Sequence, residues 1–338
     1  MNLEIPSRNI IGIRNLLLAT VLLLSWPLAP RVLAETPREL SRKSLQVVAS
    51  ILPIHSLVAG VMQGIGHPSL IVTGYGSPHT YRMRPSKARR LHNADLVFWV
   101  GDTLESFLRR PLASLPKTTQ VIPLLKTPGL TLLANRKGGP WKTNTREIHA
   151  SSAPPSKADT HALAYNPHIW LDPENVRKLV RAIASHLRQI DPGHGARYQA
   201  NADRLSRRVR ALEKTLEKRL APFRDMPYLV FHDAFPYLER RYGLRAAGAV
   251  TANPNHIPGA RRVADLRAAM KRQGIRCIFR EPQFSAKLIE TALEGANTRI
   301  GVLDPLGVHL QPGPDHWFQM MTDLARVITD CLSPKHQP

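Results

Sequence analysis

Three histidines stand where this sequence could do chemistry. They are His79 in Ser77-Pro78-His79-Thr80-Tyr81, His168 in Asn166-Pro167-His168-Ile169-Trp170-Leu171-Asp172-Pro173, and His232 in Phe231-His232-Asp233-Ala234. Each follows a strand-like run or closes a loop, the places where open α/β sheets present ligand groups. Taken singly, such a histidine is more often a hydrogen-bonded structural residue than a ligand. Taken together, with proline or aromatic neighbours to fix the rings, they make a three-nitrogen site. Zn²⁺ suits such a set, because it takes neutral imidazole at about 2.0 to 2.1 Å and prefers four tetrahedral ligands. Water or a carboxylate would supply the fourth.

Three histidines and a water also describe a catalytic zinc centre, so a hydrolase is the competing class. Its sequence would usually place a base beside the ligands, as in H-E-x-x-H, and no such motif occurs. G-x-S-x-G, P-loop and G-x-G-x-x-G fingerprints are missing too, so no enzyme is expected. The excess of 47 Lys+Arg over 25 Asp+Glu, a net +22, raises nucleic acid as a partner. The basic residues are spread along the chain without an aromatic platform, which fits a solvated cationic surface better.

The elements that must position the histidines follow an α/β grammar. The 338 residues, 43% of them hydrophobic, are enough for two globular lobes. Residues 1–34 read as a cleavable signal peptide, with Arg8 and Arg14 before the apolar run Leu16 to Leu24 and small residues near Ala34. An uncleaved anchor is disfavoured, since the run is shorter than the roughly 20 residues a spanning helix needs. Residues 35–195 read as a first lobe, with strands at 46–50, 70–73, 96–100 and 120–123 and helices near 53–63, 85–93 and 104–110. Within that lobe, residues 126–165 lack apolar periodicity and are expected as a mobile surface loop. Asp172-Pro173 supplies an N-cap and a first-turn proline for a helix to about Gln189. Residues 196–220, with Tyr198, Leu205, Val209, Leu212, Leu216 and Leu220 at helical spacing and charges elsewhere, read as one long exposed helix that makes a stiff link. Residues 221–338 form the second lobe, with strands at 228–231, 246–250, 276–279 and 299–303, helices near 258–272 and 285–294, and a final helix at 315–330. The two cysteines, Cys277 and Cys331, point to a disulfide in an oxidising compartment, with a pair of free thiols as the weaker alternative.

The motifs around these residues resemble the periplasmic zinc-binding proteins of bacterial ABC importers, the ZnuA type. The resemblance rests on Ser77-Pro78-His79-x-Tyr81-x-x-Arg84-Pro85-Ser86, on Pro167 to Pro173 and on Phe231-His232-Asp233-Ala234. Asn253-Pro254 with Pro258-Gly259-Ala260, Glu281-Pro282-Gln283-Phe284 and Leu303-Asp304-Pro305-Leu306-Gly307 complete it. It implies two (β/α) sandwich lobes with mostly parallel sheets, joined by one long rigid helix, with the metal at the lobe interface. It carries the zinc ligands onto His79, His168 and His232, supports the Cys277 to Cys331 disulfide, and implies a monomeric periplasmic protein that delivers Zn²⁺ to an ABC permease.

Asp304 is the protein's candidate for a fourth ligand, because related manganese binders use an aspartate in this region; an Asp-Pro turn is the alternative. Glu281 is expected to orient neighbouring groups rather than touch metal, Asp172 to cap its helix, and Asp233 to support the site. Manganese and iron relatives tend to carry a carboxylate at the third position, so imidazole at His232 favours zinc. A manganese- or iron-binding relative and a metal-binding adhesin on the same fold remain the alternatives. Many zinc members carry a His-rich acidic loop, whereas residues 126–165 here hold only His149 and His161. No second metal site is therefore expected there.

Overall fold

The computed structural model describes residues 44–141, 165–251, 259–284 and 298–334. The first sheet is parallel, in the order β2-β1-β3-β4, from β1 (Val47–Ala49), β2 (Ser69–Leu70), β3 (Leu96–Trp99) and β4 (Gln120–Pro123). Its connections are α1 (Leu52–Val61), α2 (Pro85–His92), and a one-turn helix at Ser106–Leu108 that runs into α3 (Arg109–Ala113). The apolar run of α1 is buried all round, which suits a helix covered on every side. The single helix expected near 104–110 is thus split and shifted. Pro111, which has no N–H to give, falls in the first turn of α3, where none is needed.

The second sheet has the order β5-β7-β6-β8-β9. Strands β6 (Pro227–His232), β7 (Arg245–Thr251), β8 (Cys277–Arg280) and β9 (Arg299–Val302) are parallel. Strand β5 (Gly139–Pro140) joins antiparallel at the β7 edge, so part of the segment expected as a loop is sheet. A Gly-Pro pair carries no strand-like pattern, which is why the sequence hides it. Its partner Gly248 explains how it fits: a Cβ there would lie 2.6 Å from the Gly139 carbonyl oxygen. Ala134 also bridges Tyr165 across the base of that segment. The expected leader at 1–34, the helix near 285–294, the Asn253-Pro254 motif, and His149 and His161 lie outside the described residues.

Five further helices complete the described fold: α4 (Pro173–Ile190), α5 (Gly195–Leu220), α6 (Pro236–Tyr242), α7 (Ala260–Gln273) and α8 (His316–Leu332). Asp172 caps α4 by accepting from Glu174 N at 2.9 Å, with Pro173 in the first position, as its sequence required. The long helix α5 buries Tyr198, Leu205, Val209, Leu216 and Leu220 against α4, α1 and α8, and leaves its charges to solvent. Helix α8 follows the second sheet yet packs on α1 of the first lobe. Trp317 N donates to Ser56 Oγ at 3.0 Å, and Trp317 Nε1 donates to the Trp170 carbonyl at 2.9 Å. One hydrophobic cluster therefore runs from β1 to α8. Cys277 in β8 and Cys331 in α8 form a disulfide across 54 positions of sequence, a loop closure of roughly 4 kcal/mol in the chain-entropy description. No helix among the described residues is long and apolar enough to cross a membrane.

One buried acid is unrelated to the histidines. Glu105 has no exposed surface and accepts from Ser50 Oγ, Val100 N and Gly101 N at the end of β3. Burial raises its carboxyl to about 7, against the pull of those hydrogen bonds. Between the ordinary value of 4.5 and about 7, the folded protein holds a proton that the unfolded chain has lost, so stability falls as pH rises through that window and levels off above it. Glu105→Gln cannot lose a proton. In urea unfolding from pH 4.5 to 8, the parent should lose up to about 3 kcal/mol more than this variant. Parallel pH profiles would remove Glu105 as the cause.

Candidate metal centre

Each histidine is placed by a different element. His79 lies in the turn after β2, where Thr80 N donates to the Ser77 carbonyl at 3.1 Å and His79 N to Ser77 Oγ at 3.3 Å. His168 precedes a one-turn helix, Ile169–Leu171, whose Trp170 is fully buried and donates from Nε1 to the Pro305 carbonyl at 2.8 Å. His232 is the last residue of β6, at the carboxyl end of a parallel strand. One potential ligand atom from each of the three lies within 4.8 Å of the others. Ring centroids are 5.6 Å apart for His79 and His168, 5.2 Å for His79 and His232, and 5.0 Å for His168 and His232.

The outer nitrogens decide which ring atoms are free. Asn166 Nδ2 donates to the Asp233 carbonyl at 2.6 Å, and its Oδ1 accepts from His168 N at 3.1 Å. That fixes the amide, so His168 Nδ1 must be the N–H that meets Asn166 Oδ1 at 2.9 Å, and Nε2 is left with its lone pair. His232 Nδ1 donates to both Glu281 oxygens, at 2.8 and 3.1 Å. His79 Nε2 is buried and meets no hydrogen-bond partner. An orphaned acceptor beside two other imidazoles is costly unless a cation fills the space. The pocket they line with Glu281, Phe284 and Leu306 encloses about 10 Å³, room for an ion rather than an organic molecule.

A match to the family described as "Zinc-uptake complex component A periplasmic", ZnuA, spans residues 47–331. The chain belongs to this family. Among its relatives is the high-affinity zinc uptake system protein ZnuA of Brucella suis, 40% identical over 305 residues, which cover 85% of this chain and 91% of that protein. The Yersinia pestis protein of the same name is 33% identical over 310 residues, 90% of this chain and 96% of its own. The periplasmic zinc binding protein TroA from Treponema pallidum superposes with a TM-score of 0.72 over 86% of this chain and 100% of its own. At 19% identity, that likeness concerns the fold alone: two α/β lobes and a long central helix. ZnuA proteins are solute-binding components of a transporter, not a family of enzymes.

The charge states of this ZnuA-type centre differ from ring to ring. Burial lowers His79 to about 3 and His168 well below its ordinary value, with His232 adding to both effects, so both rings are neutral and able to bind metal. Burial also pulls on His232, but the charge and hydrogen bond of Glu281 outweigh it and raise that imidazole. Glu281 therefore orients a histidine.

Asp304, expected as a fourth ligand, does not join the cluster. Its Oδ1 accepts from Leu306 N at 3.0 Å and Gln283 Nε2 at 2.9 Å, and its Oδ2 from Val308 N at 2.7 Å. The carboxylate is committed to the Asp-Pro turn. Asp233, the residue after His232, pairs with Arg136. Arg136 and Asn166 are residues around the site to which sequence reasoning gave no role. Asn166 was visible beside Pro167-His168, whereas Arg136 stands in a stretch without periodicity.

Glu281→Gln replaces the carboxylate with an amide that cannot hold a proton on His232 by charge. In the metal-free variant the His232 pKa should fall below the parent's, toward the neutral state of its two neighbours. Nitrogen-15 correlation spectra of the imidazoles across pH 5 to 8 would report this, and an unchanged His232 titration would count against the assignment.

Proposed function

We propose that this chain captures one Zn²⁺ between its lobes with His79, His168 and His232 and hands it to the permease of an ABC importer. The observation that carries this reading is the convergence of three imidazoles, two buried and the half-buried His79 with a partnerless buried Nε2, in a space sized for an ion. Water is the favoured fourth ligand, because the Asp304 oxygens are already engaged by three donors. The same reading places the mature protein in the periplasm as a monomer after removal of residues 1–34. It divides the chain into an N-terminal lobe at 35–195, a linking helix at 196–220 and a C-terminal lobe at 221–338. Imidazole at His232, where a carboxylate would suit harder cations, supports zinc over manganese.

Calorimetric titration of metal-free protein with Zn²⁺ should saturate at one tight site per chain. Loss of a group that only supports a ligand already costs 10- to 100-fold in affinity, so His232→Ala should lose at least about that much. His232→Glu should shift preference toward Mn²⁺ in competition. His149→Ala should bind as the parent does. Asp304→Asn would set an amide against backbone N–H donors, so it should lower the melting temperature while leaving zinc affinity nearly unchanged. Parental zinc affinity in His232→Ala would refute the site, and a large affinity loss in a folded Asp304→Asn would make Asp304 the fourth ligand.

A further inference from the structure

The polar groups behind the rings are gathered by the segment 127–141, which leaves the first sheet after β4 and ends in the second. Leu133 N donates to Tyr237 Oη at 3.1 Å, and the Leu133 carbonyl accepts from Asn166 N at 2.8 Å. Trp141 N then donates to the Ala247 carbonyl at 2.8 Å beyond β5. Between these anchors, Arg136 inserts its side chain, 18% exposed, between Asp233 and Glu239, which are 4% and 3% exposed. Its Nε lies 3.1 Å from both Asp233 oxygens, its Nη1 2.7 Å from Glu239 Oε2, and its Nη2 meets Asp233 Oδ1 and Glu239 Oε1. The Arg136 backbone N–H also donates to Asp233 Oδ2 at 3.3 Å. The Trp141 ring covers the guanidinium at 3.7 Å.

One cation thus serves two buried carboxylates, and the planar fork fixes where both stand. Asp233 is the residue after His232. Its carbonyl accepts from Asn166, whose side-chain oxygen in turn holds His168 Nδ1. The guanidinium therefore ties together the turn that follows one imidazole and the acceptor that aims another.

We propose that Arg136 is a positioning residue for the metal centre: by locking Asp233 against Glu239 it keeps His232 and His168 in one rigid frame and so sets how long a bound metal stays. The proposal rests on the reading of the histidines as the zinc site. Withdrawal of the fork leaves two buried carboxylates facing each other beside His232, and their repulsion moves the turn. A site that must hold its ligands within about 0.5 Å does not tolerate that movement.

The test uses the full chain carrying Arg136→Lys, which keeps the charge and loses the fork, and Arg136→Gln, which loses both. Co²⁺ loading reports ligand geometry through its visible bands, and transfer of Zn²⁺ to excess chelator in a stopped-flow instrument reports release. Arg136→Lys should shift the Co²⁺ bands and release zinc roughly tenfold faster than the parent, with Arg136→Gln faster still. Parental Co²⁺ bands and parental release in Arg136→Lys would overturn the proposal, even with a lowered melting temperature, and would reduce Arg136 to a stabilising residue. If Arg136→Gln does not fold, the lysine variant decides alone. Failure of the parent itself to take up either metal would refute the zinc reading, and the proposal with it.

Discussion

An imidazole can meet a cation only with a nitrogen that carries a lone pair, and which nitrogen that is depends on what the other one does. The fold around this centre is arranged to answer that question. Asn166 takes the proton side of His168 and Glu281 that of His232, and the groups that do so are themselves held. Asn166 is fixed by Asp233 and by the backbone of Leu133, and Glu281 sits at the end of β8 beside the strand that carries His232. The neutrality of His79 and His168 then follows first from burial, with the charge of His232 adding to it. An all-nitrogen set of protein groups held in this way is the kind that suits a borderline-soft cation.

Much of this was legible in the residues. Parallel strands announced themselves as short β-branched runs, and β4 falls at Gln120–Pro123 where the pattern placed it. Asp172-Pro173 set the start of α4, and the spacing from Tyr198 to Leu220 set the buried face of α5. The three histidines were readable because each ends a strand or a loop beside residues that restrict its ring. Asp304 was open to two readings for a physical reason: a carboxylate before proline serves a turn as readily as a metal, and the sequence does not show where Leu306 N and Val308 N lie. Arg136 and β5 escaped because both depend on partners about 100 residues away in sequence, Asp233, Glu239 and β7, which no local periodicity records.

The two sheets are separate hydrogen-bonded units, yet one large hydrophobic cluster draws residues from both, beside a smaller one around Leu229, Phe231 and Leu266 in the second. The chain crosses from first to second by way of β5, returns for His168 and α4, and crosses again along α5. The disulfide fixes α8 to the second sheet, while Trp317 fixes it to Ser56 in the first lobe. A centre whose rings come from both sides is thereby backed by continuous packing, and movement about it is confined to shifts that leave that packing intact.

The placement of α8 also bears on the order in which the protein can be made. A domain closed by its own sequence can fold as soon as it is synthesised, N-terminal part first. Here the first lobe waits for the final helix: α1 is buried partly by residues that follow it by more than 250 positions, and Trp317 supplies the partner for Ser56. Until those residues arrive, the nascent chain cannot complete even its first core. Completion of the N-terminal packing is thereby tied to the last helix of the chain to be synthesised.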